Sequence, residues 1–405
     1  MLIFKIAFRN IFRQKRRTIL TGLTMMGGFV LSSVSIGWSD GTYSDIINKF
    51  TSSRLGHIQV HFKDYRENPT IYKTIDNYEQ VGERISQVKG VEKWAPRLFS
   101  AGLVSVKDKS AGAQIIGMDP ILEEKATNFS QKIIKGKSFS ELHSHEAIIG
   151  KGLLKILDAD IGDEIVFVSQ AADGSIANDV YTIIGSLESG DVISDRMSFY
   201  LHLQDAQELL ALQNRVHEIT IIASSMNIVR ELVKKVENTL NNSDLEVAPW
   251  QVFAESFYQA MQVDKKGMWI MLFVIIFIVA VGVLNSVLMS VLERRREYGL
   301  LKAVGTKPFD IFFLVLYEVN VLALFSIILG AIIGVIINYI LSVYGITLPE
   351  PMTYGGVEFQ KLRSTVNLRC LYLPALTVIL AASIISIFPA LNAAKTEPAK
   401  SMRMH

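Results

Sequence analysis

Glu293, Arg294, Arg295, Arg296 and Glu297 crowd three guanidinium groups between two carboxylates, directly after the charge-free run of residues 268–292. Tyr298, Leu301 and Val304 follow at i, i+3 and i+6, a spacing that puts them on one face of a helix. Gly305 stands where such a helix would stop, and Pro308 just beyond cannot continue it. No step of bond chemistry needs this set; what it offers is adhesion. A basic turn accounts for the arginines but not for the apolar stripe, whereas an apolar stripe rimmed by charge is a docking surface. Both readings stand on the residues alone.

Other stretches with reactive residue types lead less far. Gly136, Lys137 and Ser138 end like a phosphate loop, but Gln131 occupies the position of its first glycine, so no nucleotide site is expected. His57 and His61 share a strand face while His143 and His145 lie elsewhere, which gives no third ligand by spacing and no expected metal. No nucleophile elbow or catalytic dyad is present, so no catalytic residue and no cofactor bound by this chain is expected. Cys370 is the single cysteine, which leaves no intrachain disulfide. Asp173-Gly174 is a hairpin turn signal inside "VFVSQAADGSIANDVYTII".

The elements that must hold these residues follow from hydropathy. The chain has 405 residues, half of them hydrophobic and 20% charged, with a mean hydropathy of +0.30. That mixture fits membrane spans joined to a water-exposed domain. Residues 18–38, 268–292 and 371–391 are apolar runs of the length a bilayer requires, about 20 residues. A fourth run, 311–344, is longer than one crossing; Asp310, Glu318 and Asn320 fall early in it, so its embedded part is expected nearer 319–341. Glu318 and Asn320 are either functional polar groups in the membrane or interfacial ones. Gly330 and Gly334, at GxxxG spacing, and Gly27-Gly28 offer close helix packing.

Residues 39–267 differ in character, with 24 Lys/Arg against 32 Asp/Glu, a net charge of −8. Alternating runs ("LGHIQVHF", "AGLVSV", "DEIVFVSQ", "VYTIIGSL", "EITIIAS") predict strands, and "SMNIVRELVKKVENTLNNS" predicts an amphipathic helix. A mixed α/β domain results, large enough for its own core, and its acidity argues against nucleic acid. Its last stretch, "WQVFAESFYQAMQVDKKG", predicts a helix running straight into the second span.

Short loops set the orientation. Residues 1–17 hold six Lys/Arg and no acid, residues 293–310 five Lys/Arg, and residues 392–405 three. These segments are assigned to the cytoplasm, with residues 39–267 and the loop 345–370 outside. Lys5, Arg9, Arg13 and Arg17 oppose Phe4, Phe8, Ile11 and Phe12, the pattern of an amphipathic helix at the membrane lipids' surface, or of an orientation signal. The first apolar run exceeds a usual signal-peptide core, so it is read as a retained span.

"ERRREYGLLKAVGTKP" resembles the signature loop of the FtsX-like permeases, the membrane subunits of MacB- and LolCDE-type ABC transporters. It matches the pattern E-R-x-R-E-I-G-I-L-R-A-x-G at Glu293, Arg294, Arg296, Glu297, Gly299, Leu301, Ala303 and Gly305. Tyr298 replaces an isoleucine, and Leu300 and Lys302 are conservative exchanges. "FRNIFRQKRRTIL" and "FPALNAAKTEPAKSMR" are similar to the family's two ends, and "GAQIIGMDP" and "EAIIGKGLLKILDADIGDEIVFV" to stretches of LolC and LolE.

The resemblance implies four transmembrane helices with a large mixed α/β extracytoplasmic domain of the MacB periplasmic type. It implies a coupling helix over 293–308, with Glu293, Arg294, Arg296, Glu297, Tyr298, Leu301, Lys302, Val304 and Gly305 gripping a LolD-like ATPase dimer that binds ATP and Mg. It further implies a second permease subunit, homologue or self, and lipoprotein release from the inner membrane to a LolA-like periplasmic carrier. Gln170, Asp173, Gly174, Ser175 and Asn178 lie where LolC carries its carrier-binding hook; a purely structural hairpin is the other reading. MacB-like export of another substrate, FtsX-like control of an envelope hydrolase, and a sensor without an ATPase remain alternatives.

Overall fold

A computed structural model describes residues 15–51, 55–140, 144–354 and 357–397. The predicted amino-terminal amphipathic helix lies mostly outside them, as does His143; Lys15, Arg16 and Arg17 already belong to the first long helix. By internal contacts the chain forms two units, residues 1–45, 261–349 and 361–405 in one and residues 46–260 and 350–360 in the other.

The second unit is built on a ten-stranded sheet. Its strands, with two short additions, are β1 (Ile58–Phe62), β2 (Ile75–Asp76), β3 (Val91–Val106), β4 (Lys109–Met118), β5 (Ile133–Gly136), β6 (Glu146–Gly150), β7 (Glu164–Gln170), β8 (Ile176–Leu187), β9 (Ser198–His202), β10 (Arg215–Val216), β11 (Glu218–Ala223) and β12 (Leu245–Pro249). The order runs β12-β1-β11-β3-β4-β9-β6-β8-β5, and β7 pairs with both β3 and β8. Strands β3, β4, β9, β6, β8 and β7 therefore close into a ring, which leaves those strands no open edge. Its interior holds Phe167, Phe199 and Tyr181, all buried, with the Phe167 and Phe199 rings parallel at 5.8 Å. Each expected alternating run is a strand, and each contributes buried apolar residues to the unit's main core.

Beside the ring, β12, β1, β11 and the start of β3 carry helices α2 (Tyr78–Ser86) and α4 (Val229–Leu240). Helix α4 buries Val229, Leu232, Val233, Val236 and Leu240 at the 3.6-residue period its sequence predicts. Helix α3 (Pro120–Thr127) is capped by Asp119, whose carboxylate accepts from the N–H groups of Ile121 and Leu122. It carries Glu123, which accepts from Arg97 of β3 at 2.7 and 3.0 Å. Glu218 of β11 takes a third Arg97 bond at 3.1 Å. All three groups are buried.

Four described helices are long and apolar enough to cross a bilayer: α1 (Lys15–Phe50), α5 (Glu255–Glu293), α7 (Pro308–Val343) and α8 (Arg369–Ala394), with the short α6 (Arg295–Ala303) between α5 and α7. Each overruns its apolar stretch (18–38, 268–292, 311–344 or 371–391) at one end or both, because helix geometry does not stop where hydropathy does. Helix α5 is unbroken from Glu255, but Ala254, at φ −109° and ψ 40°, separates it from the turn Trp250–Phe253, so the expected continuous helix starts later. Residues 345–370, expected as a loop, contain the hairpin β13 (Ile346–Tyr354) and β14 (Val357–Leu362).

Of the small residues, Gly28, Gly330 and Gly334 sit at close approaches and Gly27 does not. A Cβ at Gly330 would approach the Phe29 ring at 3.0 Å, and one at Gly334 the Ser33 hydroxyl at 3.0 Å, so α7 lies hard against α1. Gly28 faces Val279 at close range, while Gly27 meets nothing. Buried Asn338 donates to the Ser33 carbonyl at 3.2 Å and accepts from Ser364 at 2.7 Å. Asn320 accepts from Ser383 of α8 at 2.8 Å, so its polarity ties two membrane helices together.

Candidate functional site: the helix between the second and third spans

Helix α6 forms because Arg294 alone leaves helical geometry after Glu293, and it ends because Gly305 adopts φ +103°. Thr306 N–H donates to the Leu301 carbonyl at 3.0 Å and Gly305 N–H to that of Lys302 at 3.1 Å. That pair of bonds is the Schellman arrangement, which needs the left-handed residue glycine tolerates best. Pro308 then occupies the first position of α7, where a missing N–H costs nothing.

The expected apolar face of Tyr298, Leu301 and Val304 does not turn outward as one. Tyr298 is 1% exposed and packs in the membrane unit's own core, and Leu301 leans on the same cluster. Burial pushes the Tyr298 hydroxyl well above its ordinary pKa. Val304, by contrast, is 88% exposed. The reason is that α6 with its C-cap Val304, at a 100° step, carries two stripes: Tyr298–Leu301 covers the spans, while Arg296, Leu300 and Val304, at i, i+4 and i+8, face away from them. Leu300 is 49% exposed; the i, i+3, i+6 spacing passes over it because it sits one step before Leu301, off that stripe.

The charged residues divide in the same way. Arg295 and Arg296 are exposed. Arg294 is turned in: it donates to both carboxylate oxygens of Glu318 at 3.0 and 2.8 Å and to Glu297 at 3.1 Å, and its guanidinium lies over the Tyr298 ring at 5.4 Å. Burial works to strip its proton, but Glu318 overrides this and holds Arg294 protonated. Glu318 is thus neither a lipid-facing nor a water-facing group. Glu293 accepts from Arg17 of α1 at 2.9 Å. Lys302 donates from Nζ to the carbonyls of Ala394 at 3.0 Å and Thr396 at 2.9 Å, where α8 ends.

The hairpin of β7 and β8 resolves its candidate residues into two kinds. Asp173 accepts from the Ser175 N–H at 2.9 Å and hydroxyl at 2.6 Å, and Gly174 has φ +86°, so these three build the turn. Gln170 and Asn178 lie on the outward face. That face also carries Val168, Val180 and, at 79% exposure, Ile176; Leu103 of β3, exposed too, pairs with Val168. The sequence pattern does not show this apolar face because the inward residues of β7 are equally apolar, which hides the sidedness.

Histidines are occupied otherwise: His57 Nδ1 accepts from Ala223 N–H at 2.9 Å, and His145 lies 3.1 Å from Asp179. Among the described residues no three ligating side chains converge on a metal position.

The sequence matches two family descriptions, the MacB-like periplasmic core domain over residues 18–239 and the FtsX-like permease C-terminal region over residues 269–398. It is 22% identical to the lipoprotein-releasing system transmembrane protein LolC of Neisseria meningitidis, over 95% of this chain and 92% of that one. It is 20% identical to an uncharacterized ABC transporter permease of Methanocaldococcus jannaschii, over 99% and 97% of the two chains. It is 22% identical to the macrolide export ATP-binding/permease protein MacB of Pasteurella multocida, over 98% of this chain and 59% of that protein. With most of α1 and strands β1 to β11 inside the first match and α6 inside the second, the chain belongs to the MacB/FtsX family of ABC-transporter permeases, as a multi-pass membrane protein with an extracytoplasmic domain.

Proposed function

We propose that this chain is the permease subunit of a transporter that releases lipoproteins from the outer leaflet of the bacterial cytoplasmic membrane. In this reading a separate LolD-like ATPase dimer, carrying ATP and Mg, seats against Arg296, Leu300 and Val304 of α6. A second permease subunit completes the membrane part. The outward face of β7 and β8, with Val168, Ile176 and Val180 flanked by Gln170 and Asn178, receives the soluble carrier. The observation that carries the reading is near end-to-end similarity to a LolC protein at 22% identity, 95% of one chain against 92% of the other. Energetics agree: moving an acyl chain out of a bilayer costs about 0.8 kcal/mol per CH₂, so release needs an engine.

The test is reconstitution with the ATPase in liposomes loaded with a labelled lipoprotein. ATP-dependent transfer to a soluble carrier is expected; brisk ATP turnover with no transfer of any lipoprotein would refute the cargo. Similarity over 98% of the chain to a macrolide export protein supports a second reading, mechanical drive of an export partner. In that case turnover would respond to a periplasmic adaptor and not to a carrier.

A further inference from the structure

We propose that Arg294 and Lys302 are positioning residues that clamp α6 at both ends, so that a push received by its outer stripe enters the third and fourth spans together. The inference rests on the ATPase-docking reading above and concerns a different set of atoms.

Three observations lead to it. The only non-helical residue between α5 and α6 is Arg294 itself, so a push on α6 would simply fold this joint unless something braces it. Arg294 supplies the brace: its two bonds to Glu318 reach α7, two turns beyond Asp310, and its third reaches Glu297 within α6. A bidentate guanidinium–carboxylate pair fixes orientation as well as distance, and both side chains are largely shielded from water, at 11% and 14% exposure. At the other end, Lys302 caps the carboxyl end of α8, whose last carbonyls have no helical N–H to accept from. The ammonium also meets the negative end of that helix's dipole. Neither clamp uses Arg295, Arg296, Leu300 or Val304. Seating and transmission are therefore carried by separate residues of one short helix and its two caps, and they should separate under mutation.

The experiment uses the full permease with its co-purifying ATPase in nanodiscs. Spin labels are placed at Ala303→Cys and Asn392→Cys, both exposed, in a Cys370→Ser background. With the clamp intact the α6–α8 distance distribution stays narrow with and without trapped ATP. Lys302→Met is expected to keep ATPase co-purification within about twofold yet broaden that distribution about twofold or more once ATP is bound. Glu318→Gln is expected to do the same more weakly, because an amide still accepts from Arg294. The exchanged pair Arg294→Glu with Glu318→Arg should restore the narrow distribution, an outcome that general loosening of the protein would not give. Distributions that remain narrow in both single variants, with the ATPase bound, overturn the clamp and leave docking intact. A wild-type chain that binds no ATPase overturns docking and the clamp with it.

Discussion

In the outer unit Arg97 lies between Glu123 and Glu218; in the membrane unit Arg294 lies between Glu318 and Glu297. The first trio is shielded from solvent, each side chain at 6% exposure or less, beside a small cavity that it lines, and it joins β3, α3 and β11. The second is open at one end, since Glu297 is 39% exposed, and it joins a helix break, a surface helix and a membrane helix. Burial alone would raise the Glu123 pKa, yet Arg97 holds it below the ordinary carboxylate range. Such a shielded trio fixes one geometry. A guanidinium with one sealed and one surface partner can instead hold a joint while leaving its outer side to a partner protein. The same three charges thus serve rigidity in one place and articulation in the other.

Removing the cation from the shielded trio should have the largest effect. Arg97→Met leaves two buried carboxylates without their shared cation and should cost about 3–5 kcal/mol, read as faster hydrogen exchange across β3 and β11 in the full-length protein. If exchange there is unchanged, the outer trio is not the lock described.

Acid should reach the same layer through His217, which is fully buried. Its Nδ1 accepts from the Phe99 N–H at 3.0 Å and its Nε2–H donates to the Ile71 carbonyl at 3.2 Å, an arrangement only the neutral ring satisfies. Burial pushes its pKa down to about 4. The unfolded chain therefore binds the proton first: stability holds above pH ~6.5, falls as pH drops through that value, and levels near the folded value, a loss of about 3 kcal/mol in total. Thermal unfolding followed by exchange in the outer unit between pH 7 and 4.5 reads this. His217→Gln, which keeps a donor and an acceptor, should flatten the slope.

On the open side, Val304→Asp should leave folding unchanged and weaken ATPase co-purification by about 2 kcal/mol, roughly 30-fold. Tyr298→Ala should do the reverse in kind, lowering stability through a core cavity by about 3 kcal/mol or more before any loss of seating is seen. Equal behaviour of the two variants would erase the distinction between covered and outward stripes. The smallest effect is expected at the outer hairpin. Val180→Ser should change stability by less than about 0.5 kcal/mol while lowering carrier-dependent release, if that face receives the carrier.

Much of this was legible from sequence where physics is local. The four apolar runs, the alternating strands, the α4 stripe and the stop at Gly305 follow from hydropathy, period and backbone freedom, each within one continuous stretch of chain. Long-range choices were not legible. Periodicity puts Tyr298, Leu301 and Val304 on one face, yet the fold covers Tyr298 and leaves Val304 outside with Leu300 and Arg296. Periodicity cannot say which stripe the rest of the chain will cover. Arg97 finds Glu218 at a separation of 121 residues, and no spacing rule announces such a pair. The outward apolar face of β7 and β8 was hidden for a related reason, since Ile165 and Phe167 alternate with Val166 and Val168 and both sides read as core. The hairpin within 345–370 escaped because β13 lacks clean alternation and carries two prolines, and β14 is only six residues long.

The most direct test of the account is a single cysteine at Val304 in the Cys370→Ser background, probed in sealed membrane vesicles of both orientations and then cross-linked. Modification by an impermeant maleimide from the cytoplasmic side alone, blocked when the ATPase is bound and replaced by a cross-link to it, is the predicted result. Modification from the opposite side, or free access to Val304 in an assembled, ATP-hydrolysing complex, would contradict it.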